Sequence, residues 1–73
     1  MKYGVFLFKT TTAAMQAQKV LNSKGYNVTL IPAPRQFNSA SGMAVRFNLM
    51  EQAAVQEVLD KANVQIQAVH EVV

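Results

Sequence analysis

The chain reads as one α+β domain of order β-α-β-β-α-β, with two helices on one face of a four-stranded antiparallel sheet. Three observations predict it. Two segments place apolar residues at helical spacing, and four short segments run apolar or alternate as strands do. A length of 73 residues leaves room for a single core, so residues 1–73 are taken as one domain.

Tyr3 to Phe8 is rich in aromatic and branched residues and predicts a buried first strand. Thr10, Thr11 and Thr12 follow, and a threonine hydroxyl is a good acceptor for an orphan N–H at a helix start. Ala13, Ala17, Val20 and Leu21 then share one helical face, and Gly25 stands where such a helix ends. Asn27 to Ile31 is the second strand, with Val28 and Leu30 on one face and Thr29 and Ile31 on the other. Pro32 and Pro34 are expected to end its ladder, since neither has an N–H to donate.

Met43 to Phe47 is the third strand, with Met43, Val45 and Phe47 opposed to Ala44 and Arg46. Asn48 and Glu51 resemble a capping box, with Asn48 as cap. Glu51, Val55, Val58, Leu59 and Ala62 continue at helical spacing, and Asn63 can take the left-handed conformation that stops a helix. Val64 to Val73 is the last strand, with Val64, Ile66, Ala68 and Val72 expected on one face. This order is that of the split βαβ, or ferredoxin-like, arrangement. The sheet face away from the helices is expected to draw on Phe6, Phe8, Thr29, Ile31, Ala44, Arg46, Gln67 and Val69. The inward set of the first strand stays open, because both its faces are apolar.

Composition narrows the functional classes. There is no cysteine, hence no disulfide and no thiolate metal site, and the four methionines read as core filler and an initiator. No metal or other cofactor is called for. The net charge is +3, but the basic residues are scattered, so neither a nucleic-acid nor a membrane patch is indicated. The opening apolar run is too short for a signal sequence and Lys9 interrupts it; a cytoplasmic location is expected. Only 15% of residues are charged against about 25% in typical domains, which suggests a homo-oligomer with a covered apolar face.

The segment from Pro32 to Gly42 is longer than the 2–5 residues of ordinary hairpin loops, and long ordered loops often carry function. Topology puts it at the same end of the sheet as the start of the first helix, where free N–H groups carry about half a positive charge. The candidate anion-binding corner is therefore Lys9, Thr10, Thr11, Thr12, Arg35, Ser39, Ser41 and Gly42. Gly42 permits a positive φ or a close backbone approach. The plain alternative for Arg35 and Ser41 is local turn chemistry.

Leu30-Ile31-Pro32-Ala33-Pro34-Arg35, followed by Ser39-Ala40-Ser41-Gly42-Met43-Ala44-Val45-Arg46-Phe47, resembles the small bacterial selenium/sulfur carrier-like family. That family's pattern is an apolar pair, Pro-x-Pro-Arg, a Ser-rich loop, Cys-Gly and an apolar strand bearing Arg or Lys. The opening strand and alanine-rich first helix also match. The resemblance implies a non-enzymatic carrier of sulfur or selenium, a transfer protein as possible partner, and a working cysteine before the glycine. Ser41 stands at that position. A serine hydroxyl is a far weaker nucleophile without a base, and His70 is placed on a strand running away from this end. An inactive relative, a natural serine variant with a binding role and an engineered substitution all remain open. The alternative reading is an interaction module that oligomerises through its open sheet face. Base stacking on the sheet is a third, set back by the diffuse charge.

Overall fold

In the computed structural model, which describes residues 2–72, the expected order is present. β1 is Tyr3–Leu7, α1 Thr11–Ser23, β2 Thr29–Pro32, β3 Met43–Asn48, α2 Gln52–Lys61 and β4 Ala68–Val72. The sheet order is β2-β3-β1-β4 and every neighbouring pair is antiparallel. This is the four-stranded α+β, ferredoxin-like architecture predicted above. No helix among the described residues is long and apolar enough to cross a membrane.

The helix signals act as their chemistry suggests. Thr10 Oγ1 accepts from the Ala13 N–H at 3.1 Å and caps α1. Ala14, Ala17 and Leu21 form its buried stripe, with Ala13 and Val20 only half-buried, and Gly25 follows its end at φ 91°. Asn48 Oδ1 accepts from Met50 N at 3.0 Å. It caps a 3-10 turn, Leu49–Glu51, that leads into α2, and Glu51 supplies no reciprocal side-chain cap. Asn63 takes the left-handed conformation after α2, at φ 59°.

The helix-covered core gathers Phe6, Phe8, Ala14, Ala17, Leu21, Val28, Val45, Phe47, Val55, Leu59 and Val64. Phe6 and Phe47 stack with centroids 4.1 Å apart. The Phe47 ring also lies over Gly4: a Cβ there would meet Cζ at 2.5 Å. That contact fixes which way β1 faces. Phe6 and Phe8 belong to the helix-side core, not to the far face where they were expected, and Val69 also packs on the helix side. The far face instead buries Val5, Leu7 and Ala44, with Tyr3, Ile31, Ala33, Phe37, Ala68 and Val72 around them.

Strand ends differ from expectation: β1 stops at Leu7 rather than Phe8, β2 starts at Thr29 rather than Asn27, β3 runs on to Asn48, and two further differences have a structural cause. Pro32 does not end β2; it pairs with Met43, and Ala33 N donates to Gly42 O at 2.9 Å one step further. Pro32 is tolerated because β2 is an edge strand, where one side of the backbone needs no ladder donor. β4 starts only at Ala68. Val64 and Ile66 pack on the helix side while Ala68 and Val72 lie on the far face, so the alternation slips around Gln67. The expected continuation to Val73 lies outside the described residues.

Candidate functional site

The end of the long loop is stitched to the end of β1. Phe8 is the last apolar residue before α1, and its carbonyl accepts from Ser41 N at 3.3 Å and from Ser39 Oγ at 3.2 Å. Ser39 Oγ also lies 3.1 Å from Ser41 Oγ and 3.2 Å from Met43 O. A hydroxyl has one proton, so these acceptors share it in turn. Met43 N donates to Ser41 Oγ at 3.1 Å, a local serine turn, and Ser41 Oγ reaches Met43 O at 3.3 Å. Gly42 sits at φ 74° and closes the turn, its N–H donating to Ser39 O at 3.2 Å. A Cβ there would meet nothing, so backbone conformation alone calls for glycine.

These bonds bring Ser39, Ser41 and Gly42 against the Phe8-Lys9-Thr10 corner, as topology suggested. Ser41 is half-buried and hydrogen-bonded. Arg35 is not drawn in. It occupies the tip of the turn closed by Phe37 N donating to Pro34 O at 3.0 Å, it is exposed, and it makes no hydrogen bond or ion pair among the described residues. Thr11 and Thr12 occupy the exposed first turn of α1, and Thr10 spends its side-chain oxygen on the cap.

Three features of the site were not anticipated. Gln67 Oε1 accepts from Ala40 N at 3.2 Å, while Gln67 N donates to Leu7 O at 2.7 Å, so the slip before β4 clamps the loop. Lys9 and Thr10 border an open groove of about 1100 Å³ that also bears Glu57 and Asp60. The corner is therefore mixed in charge rather than uniformly positive. Finally, Phe37 crosses the far face and stacks on His70, ring centroids 4.0 Å apart and 9° from parallel. His70 thus meets this loop through Phe37, although β4 leads away from the loop's end. Gln67 could have been suspected from its place at the break in β4's alternation; no sequence signal pairs Phe37 with His70. Among the described residues no group of His, Asp and Glu could hold a metal ion.

A family model described as "Putative Se/S carrier protein-like" matches residues 3–71, nearly the whole chain. No curated protein and no solved structure matches it.

Proposed function

The chain belongs to the Se/S carrier protein-like family, and from that premise we propose a non-enzymatic carrier-like or anion-binding domain whose working position is residue 41. With Ser41 there in place of cysteine, it does not carry sulfur or selenium. The observation that supports position 41 is the hydrogen bonding at its side-chain atom: the Met43 N–H donates to it at 3.1 Å, and the Ser39 hydroxyl, able to act as donor or acceptor, lies 3.1 Å away. A thiolate at that atom would receive the Met43 N–H and, being an acceptor only, would draw the Ser39 hydroxyl proton toward itself; hydrogen bonds to a charged form favour it. The adjacent start of α1 adds its N-terminal field. Arg35 stays exposed at its turn tip and the hydroxyls of Thr11 and Thr12 are neutral donors, while Lys9 supplies a further positive charge. Glu57 and Asp60 across the groove oppose it, so any oxyanion binds weakly.

The test is sulfur loading. A thiolate at position 41 attacks the outer sulfur of a donor persulfide; the new S–S bond forms as the donor's thiolate leaves. Intact-mass spectrometry after incubation with a small-molecule persulfide should show no added sulfur on the protein as it stands, and one on Ser41→Cys. No gain on Ser41→Cys, with its fold intact, defeats the carrier reading.

Self-association is the second reading. It draws on β4, an edge strand with no proline and with half-buried Ala68, Val69 and Val72. Light scattering at tens of micromolar decides it: a dimer mass is expected, and a concentration-independent monomer mass rejects it.

A further inference from the structure

Among the described residues Arg46 is the one charged side chain on an otherwise largely apolar sheet face. It is exposed on β3, between Val5 of β1 and Thr29 of β2. Its guanidinium lies over the Tyr3 ring, 4.0 Å from the centroid. It makes no ion pair among the described residues. The stacking presets the side chain while leaving the edge of the guanidinium, with its N–H donors, free.

A hollow of about 320 Å³ opens here, lined by Lys2, Tyr3, Asn27, Thr29, Arg46 and Asn48 together with Phe47 and Glu51. It lies at the opposite end of β1 from the Ser41 corner, because Tyr3 begins the strand that Leu7 and Phe8 finish. The volume is at the lower end of ordinary small-molecule sites, which start at roughly 300 Å³. The polar lining is rich in donors. Asn48 Oδ1 is already engaged with Met50 N, so its NH2 remains to donate. Lys2 is shared with Glu71 only at 3.9 Å, between largely exposed side chains.

We propose that this hollow binds a small carboxylate, its two oxygens received by the Arg46 fork and supported by Lys2 and the Asn27, Thr29 and Asn48 side chains. An arginine fork matches a planar carboxylate in two parallel bonds. Glu51 decides between anions: its own negative charge in the same wall penalises a doubly charged guest, so a monoanionic carboxylate is preferred over inorganic phosphate. The site is separate from the carrier position and does not depend on it.

The experiment is an amide and arginine side-chain NMR titration of the intact protein with sodium acetate, against inorganic phosphate and chloride at matched ionic strength. Acetate should shift residues 27–29 and 46–48 and the Arg46 Nε–H saturably, phosphate more weakly, chloride hardly at all. Arg46→Lys keeps the charge but loses the fork, and should weaken acetate by about tenfold, the scale of one charge-assisted bond. A spectrum of Arg46→Lys that matches the parent away from the hollow shows that its fold is kept. Acetate shifts no larger than those of chloride, or an unchanged affinity in Arg46→Lys, overturn the proposal.

Discussion

The two faces of the sheet are closed by different means. On one, two helices cover Phe6, Phe8, Val45 and Phe47, and the core is continuous. On the other, Val5, Leu7 and Ala44 are just as completely buried, at 0–1% exposure, but beneath side chains rather than helices. Phe37 from the loop seals them at one end by stacking on His70, and Tyr3 under Arg46 borders the other. The helix-side core depends on elements with their own hydrogen bonds. The far-side core depends on the same loop that carries Ser39 and Ser41. Burial there and order at the candidate site are therefore one physical event, and the two faces should respond unequally to substitution.

The largest effect should come from the helix side. Phe6→Ala removes a fully buried ring that stacks on Phe47, at a cost of about 3–5 kcal/mol. Small domains commonly have only about 5–15 kcal/mol in total, so the urea midpoint should fall by a large fraction of the parent's value. Gly4→Ala comes next, since its Cβ would press into the Phe47 ring held by the same stack. Overpacking of this kind costs about 1–3 kcal/mol. A shift in thermal midpoint within error of zero would mean that the ring moves freely, and that Gly4 does not set the parity of β1.

That parity shows what was legible in the sequence and what was not. Arg46 marks one face of β3 as the side away from the helices, so the alternation from Met43 to Phe47 could be read correctly. β1 offers no such marker between Val5 and Phe8, and only a contact across strands, Phe47 over Gly4, decides which residues turn inward. Pro32 was read by its missing donor alone, without knowing that β2 would lie at an edge. At the site, topology and helix-start chemistry sufficed to bring Ser39 and Ser41 to the Phe8-Lys9-Thr10 corner. They could not place Gln67 or Phe37, whose partners lie on distant strands, nor foresee that Arg35 would sit at a turn tip facing solvent.

A smaller and more localised effect should follow Phe37→Ala. The ring is half-buried, so a loss of about 2 kcal/mol is expected, below that for Phe6. The distinguishing readout is hydrogen exchange. Amides 37–43 and 68–72 should lose protection together while α1 and α2 keep theirs. Uniform loss across the chain would contradict the separation of the two cores. Unchanged protection at 39–43 would mean that the serine turn is held by its own hydrogen bonds, without help from the far-side core.

The loop end should stabilise negative charge on the side-chain atom of residue 41. The direct measurement is the alkylation rate of Ser41→Cys against pH, alone and combined with Ser39→Ala. Donation from Met43 N–H and the Ser39 hydroxyl, with the start of α1 alongside, should place the apparent thiol pKa at least about one unit below the free-cysteine value of about 8.5. Removing the Ser39 hydroxyl should raise it part of the way back. The nearby carbonyls of Phe8 and Met43 work in the other direction. A thiol pKa at or above about 8.5, insensitive to Ser39→Ala, would show that these carbonyls prevail and that the loop end is a structural turn rather than a site for a reactive sulfur.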